Sequence, residues 1–215
     1  MRLASAVFGL DEPGASAAAE AQRQIDDEPD DLPGPGQIVL FNGPSGGGKS
    51  TRLRRLADDA VSRDYRVVHV GRLRLKPLAC VDQFGTSGDE ERDLAYAAGR
   101  LAQVGLGEAR VLLRPPALLS DGQRWRLRLA VAISQAMRRH GRARRLGQAS
   151  PCELLVIDEF CAVLDRVTAA VVARSLRRTV ERLTRVGAPV AAVVATSHDD
   201  LREALLPDRV VWCER

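Results

Sequence analysis

"GPSGGGKST", residues Gly43 to Thr51, follows the apolar run "QIVLFN" and leads into "RLRRLADDAV". The run before it reads as a buried strand. The run after it has helical spacing, with Leu53, Leu56, Ala57 and Ala60 on one face. A strand, a glycine loop and a helix form the setting in which G-x-x-x-x-G-K-[ST] cradles phosphates. Glycines let backbone N–H groups converge on phosphate oxygens without side-chain clashes. The helix start adds the positive end of its dipole. The chain has two lysines, Lys49 and Lys76, among 32 basic residues, and one of them stands in this loop. A compact ammonium fits between phosphate oxygens where a broad planar guanidinium does not. The loop is therefore expected to bind a nucleotide through Gly43, Pro44, Ser45, Gly46, Gly47 and Gly48, with Lys49 at the β- and γ-phosphates. Ser50 is the expected Mg²⁺ ligand, and Thr51 the support of the α-phosphate.

"LLVIDEF", Leu154 to Phe160, supplies a matching acidic strand end. Asp158 can hold Mg²⁺ through water, and Glu159 can polarise an attacking water as general base. Taken alone, two acids after a strand often do no more than cap a helix. "YRVVHVGRL", "VAAVVAT" and "RVVWCER" read as further strands. "DEERDLAYAAGRLAQVGL", "GQRWRLRLAVAISQAM" and "TAAVVARSLRRTVERL" read as helices, the first with Leu94, Ala97, Ala98 and Leu101 inward. Strands alternating with helices predict an α/β fold with a mostly parallel sheet flanked by helices.

The 215 residues suffice for one such domain, expected over residues 34–215, after an acidic, alanine-rich arm over residues 1–33. No apolar run reaches the roughly 18–20 residues that span a bilayer, and no signal peptide is expected, so the expected location is the cytoplasm without membrane insertion. Cys80, Cys152, Cys161 and Cys213 show no zinc spacing and read as small core residues or thiols. The net charge of +4 is a weak hint of nucleic acid. "RRHGRARR", Arg138 to Arg145, is the stretch that could meet a phosphate backbone; its plainer reading is a solvated arginine-rich loop.

The order of motifs resembles that of ABC-type ATPases, from about Gly36 to the C-terminus. "LLSDGQRWRLRLAVAI" resembles their signature and its helix, "CAVLD" their D-loop, "VVATSHDD" their switch histidine and "CVDQFG" their Q-loop. The resemblance implies a P-loop NTPase fold with a short helical subdomain, about residues 84–135, carrying the signature. It implies ATP and Mg²⁺ as ligands and hydrolysis by two copies arranged head to tail. Ser120, Gly122 and Gln123 would then serve the γ-phosphate bound by the other copy. His198 would contact the γ-phosphate within its own copy, Gln83 would complete the magnesium shell, and Asp165 would couple the two sites.

The chain departs from transporter ATPases at three points. Asp121 replaces a signature glycine, Phe160 follows Glu159 where proline is usual, and no aromatic for stacking adenine occurs between Leu10 and Leu40. "LSDGQRWR", "DEFCAVLDRVTA" and "ATSHDDL" resemble a soluble group associated with GNAT-type acetyltransferase domains. The expected function is therefore an ATPase dimer that drives or switches a partner protein, such as an acetyltransferase, outside transport. The alternative is the ATP-binding subunit of an ABC transporter. A nucleoside monophosphate kinase, suggested by the glycine loop alone, and a non-hydrolytic ATP sensor are further readings.

Overall fold

The computed structural model describes residues 31–214. The arm expected over residues 1–33 lies outside them except for its last three residues. Among the described residues the strands are β1 (Ile38–Asn42), β2 (Arg66–His69), β3 (Glu153–Ile157), β4 (Val190–Thr196) and β5 (Arg209–Trp212). They form one sheet in the order β2-β3-β4-β1-β5, and every pairing is parallel. All carboxyl ends therefore open on one edge, where ligands of open α/β sheets bind. The helices are α1 (Lys49–Ser62), α2 (Glu90–Gln103), α3 (Ala109–Leu112), α4 (Asp121–Arg145), α5 (Arg166–Arg185) and α6 (Leu201–Leu205).

The near-continuous apolar runs of β1, β3 and β4 are buried along their whole length. That follows from helices covering both faces of a parallel sheet. Alternate residues face alternate layers. Val39, Phe41, Leu154 and Val156 pack with Leu53, Leu56, Ala57 and Ala60 of α1, the face read from sequence. Ile38, Leu40, Leu155 and Ile157 belong to the opposite core, with apolar residues of α4 and α5. Full burial of one such Leu or Ile contributes about 1.5–3 kcal/mol, so the loop between β1 and α1 springs from the most firmly held part of the sheet.

Three local expectations change. Leu94 is 53% exposed rather than inward, and the inner face of α2 is Ala97 and Leu101. Tyr96 packs beside them, edge-on to Phe84, with its hydroxyl 3.0 Å from Ser134 Oγ. "YRVVHVGRL" gives only four strand residues, because Val70–Arg72 tighten into a 3-10 turn. "RRHGRARR" is not a loop but the end of α4. Arginine and alanine are good helix formers, and Gly147, at φ 65°, ends the helix with a Gly147 N–H bond to the Arg144 carbonyl of 3.1 Å.

Candidate functional site

The loop between β1 and α1 is fitted to its surroundings by absent side chains. A Cβ on Gly43 would lie 2.1 Å from the carbonyl oxygen of Cys213, and one on Gly47 2.6 Å from the same atom. Glycine is required at both by close approach. Gly48, at φ 83°, sits just before α1 and turns the chain into it. The Lys49 ammonium lies back over the loop, donating to the carbonyls of Gly43 at 2.7 Å and Pro44 at 2.6 Å. The Ser50 hydroxyl donates to Asp158 Oδ1 at 3.1 Å, which joins the start of α1 to the end of β3. Gly48, Lys49, Ser50 and Asp158, with Ser45, Gly46, Thr51, Glu159, Ala162, Ala195, Thr196 and Ser197, line a cavity of about 430 Å³. That is the size range of a small-molecule site.

The approach to Glu159 is unusual backbone. Glu159 has φ 50° and Cys161 φ 59°, both left-handed and neither glycine. Such residues persist where surrounding bonds hold them. Here Phe160 is the clamp: its N–H donates to the Ala195 carbonyl at 2.8 Å, and its carbonyl accepts from Thr196 Oγ1 at 3.2 Å. The Phe160 ring is fully buried and meets Trp125 of α4 edge-on, with centroids 5.6 Å apart. The phenylalanine that stands where proline was expected thus fastens the signature helix to the acidic strand end. Cys161 is also buried, which pushes its thiol up to about 12 and makes it a core residue rather than a reactive one.

The remaining sequence-predicted residues lie outside that cavity's lining. Ser120 caps α4: its hydroxyl accepts from the Gln123 N–H at 3.2 Å, while the Gln123 amide oxygen accepts from the Ser120 N–H at 3.1 Å. This is a capping box. Gly122 lies against Val163 and Leu164, where a Cβ would come within 2.9 Å of Leu164. Asp165 caps α5 through the Thr168 N–H at 2.9 Å, and hydrogen bonding from the Thr168 side chain first, then from that N–H, holds its carboxyl below the ordinary range. His198 follows the cavity residue Ser197, with its backbone N–H donating to Thr196 Oγ1 at 3.3 Å. Asp121 ion-pairs with Arg124 at 3.1 Å across one helical turn.

Gln83 lies outside the lining of this cavity. It is buried and holds the preceding loop: its amide oxygen accepts from the Lys76 N–H at 3.0 Å. Its amide nitrogen donates to the carbonyls of Lys76 at 2.9 Å and Leu78 at 3.0 Å. Residues from the end of β2, the turn after it and α1 share a second cavity with Ser50 and Asp158. His69, Gly71 and Arg72, with Arg54, line this adjoining space of about 80 Å³. Burial first, then the charge of Arg72, hold the His69 imidazole below the ordinary histidine range.

Asn42 is a second residue that the motifs did not reveal. It is buried, its amide oxygen accepts from the Gly43 N–H at 2.9 Å, and its amide nitrogen donates to Asp199. It ties the first glycine of the loop to the segment after His198. A polar residue ending an otherwise apolar strand was the available signal.

The residues present fit a magnesium-bound nucleoside triphosphate. A roomy cavity meets a glycine loop, one ammonium, a hydroxyl–carboxylate pair and a further carboxylate. No family model matches the chain. Among curated proteins, it is 31% identical over 208 residues to an aliphatic sulfonates import ATP-binding protein, SsuB, of Delftia acidovorans, covering 92% of this chain and 76% of that one. It is 32% identical over 188 residues to a protein of the same description, SsuB 1, of Paracoccus denitrificans, covering 82% and 67%. Among solved structures, its fold is like that of MJ0796, a bacterial ABC transporter cassette determined as a dimer. The TM-score is 0.58 at 21% identity, over 86% of this chain and 83% of the other. With the glycine loop, the acidic strand end and relatives this similar along most of their length, the chain belongs to the ATP-binding cassette family of P-loop ATPases.

Proposed function

We propose that this chain is the ATP-binding and ATP-hydrolysing subunit of an ABC importer, acting as a head-to-tail pair beneath a membrane partner. The observation that carries the reading is the kinship with import ATP-binding proteins at 31% and 32% identity over most of the chain. It favours the transporter role over the expected soluble driver or switch, and it gives an acetyltransferase partner no support. The surface between the Gln83 turn and Ser120 agrees with a docking role. Leu94, Leu113 and Leu118 of that segment are 53–73% exposed, and apolar side chains left in water are available to a partner. Among the described residues no helix is long and apolar enough to cross a membrane.

In this reading the Lys49 ammonium exchanges its bonds to Gly43 and Pro44 for the β- and γ-phosphate oxygens. The backbone of Gly43 to Gly48 donates to the same phosphates, and Thr51 supports the α-phosphate. Ser50, and Asp158 through water, would hold Mg²⁺; the two side chains are already 3.1 Å apart. The metal, when bound, neutralises charge on the phosphoryl oxygens. Glu159, aimed by the Phe160 clamp, takes the proton of the attacking water. His198, at the rim, contacts the γ-phosphate. Ser120, Gly122 and Gln123 lie outside their own chain's cavity and complete the site of a second copy, where the start of α4 faces the phosphate. Asp165 lies at the contact between copies.

Two measurements test this. Mg-ATP hydrolysis should rise faster than linearly with protein concentration at high dilution. Gentle fractionation of cells making the native chain should find it with the membranes. A wholly soluble chain with unchanged ATPase would remove the transporter role and leave the ATPase standing.

A further inference from the structure

The metal position proposed between Ser50 and Asp158 has a second side, and the structure fills it from an unexpected strand. The small cavity there is lined by Ser50, Asp158, His69, Arg54, Arg72 and Gly71, with Leu53 and Val156 beneath. β2 pairs with β3 so that His69 lies opposite Val156, two residues before Asp158. Strand alternation puts His69 on the Val156 face, the one covered by α1, and Asp158, one residue past β3, bonds Ser50 of that same helix. A hydrated divalent cation needs hydrogen-bond acceptors for its waters. Guanidinium groups have none, so Arg54 and Arg72 can serve phosphate oxygens but not those waters. Gly71 has no side chain. Gln83 is fully engaged by the Lys76–Ala79 backbone. Besides Ser50 and Asp158, His69 is the lining side chain that can accept.

We infer that His69 is a positioning residue for the metal, its imidazole accepting a hydrogen bond from a water of the Mg²⁺ shell held by Ser50 and Asp158. This rests on the reading of the pocket as a Mg-ATP site. His69 does the work expected of Gln83, from the strand beside Asp158 instead of the turn that follows. A histidine and a glutamine are chemically equivalent here in one respect: each offers a neutral acceptor at the end of a short side chain.

The test uses Mn²⁺ as probe, on the full chain with ATP, with metal affinity read by electron paramagnetic resonance. His69→Ala should weaken Mn²⁺ binding to the ATP complex by about tenfold or more, as loss of an outer-shell partner does. ATP affinity measured in a chelator should stay unchanged, which shows that the variant is folded. His69→Gln should restore metal affinity to within about twofold, because the acceptor is restored. Gln83→Ala should leave metal affinity at the wild-type value. Unchanged Mn²⁺ affinity in His69→Ala, or a loss in Gln83→Ala as large as in His69→Ala, overturns the inference. Ser50→Ala and Asp158→Asn separate the two levels. If both weaken Mn²⁺ and His69→Ala does not, only the His69 assignment fails. If neither does, the pocket itself has been misread and the His69 assignment falls with it.

Discussion

The loop after β1 and the start of α4 both place glycine and a serine at a helix N-terminus, yet their polar groups are used differently. In the first, Ser50 and Lys49 turn toward the cavity, and their partners are Asp158 and two loop carbonyls that an anion or cation can replace. In the second, Ser120 and Gln123 bond one another and close the capping box. Gln83 and Asp165 are occupied in the same local way, one by a loop and one by the start of α5. A site held within one copy shows its ligand-facing groups assembled. The half-site proposed to serve another copy shows only a stable helix end. The difference teaches that a motif's residues are available for chemistry only where neighbouring backbone leaves them unsatisfied.

The largest effect should come where the polar group is freest. Glu159→Gln should slow hydrolysis by about 10²–10⁴-fold, as removal of a general base does, while ATP binding persists. Wild-type turnover in that variant would move the base elsewhere. The clamp that joins the two regions comes next. Phe160→Ala should cost about 3–5 kcal/mol of stability, since it empties a fully buried ring site against Trp125. Denaturant unfolding reads this, and a loss under about 1 kcal/mol would mean that α4 does not depend on the clamp. Lys49→Ala should weaken ATP binding by about 2–5 kcal/mol, the range for losing one partner of a close charge pair. Calorimetry with retained wild-type affinity would contradict the loop assignment.

Smaller effects probe the locally engaged residues. Gln83→Ala leaves the Lys76 N–H and two carbonyls without their partner and should cost about 1–3 kcal/mol of stability, with Mg-ATP affinity unchanged. Asp165→Ala should lower the melting temperature slightly at neutral pH. Hydrogen bonding from Thr168 holds the folded carboxyl below its unfolded value, so its contribution is present above the ordinary aspartate range, about pH 4, and is lost as pH falls through the folded value. The gap between variant and native protein should therefore close on acidification. A gap that widened would mean that the carboxyl is not stabilised as an anion.

The parallel sheet and the phosphate loop were legible because each rests on short-range pattern. Apolar runs in β3 and β4 announce strands buried on both faces, and the glycine loop carries its own chemistry. The surroundings of Gln83 and His69 were not legible. "CVDQFG" shows a glutamine but not the backbone it bonds, and what lies beside the end of β3 is set by strand register, which puts His69 opposite Val156. Register is a long-range fact, absent from local spacing. Phe160 looked like a departure for a related reason: its partners, Trp125 and the end of β4, are distant in the chain. The "RRHGRARR" stretch was misplaced because charge density suggested solvent while helix propensity decided the backbone. Arg139 turns inward to the buried Glu153, at 3.6 Å.

Light scattering after size exclusion of the Glu159→Gln protein, with and without saturating Mg-ATP, addresses the pairing of the two half-sites directly. Doubling of the monomer mass with nucleotide, abolished by a bulky replacement at Ser120, is the predicted result. A stalled protein that stays single at saturation, while the native chain hydrolyses ATP at a rate strictly proportional to its concentration, would contradict it.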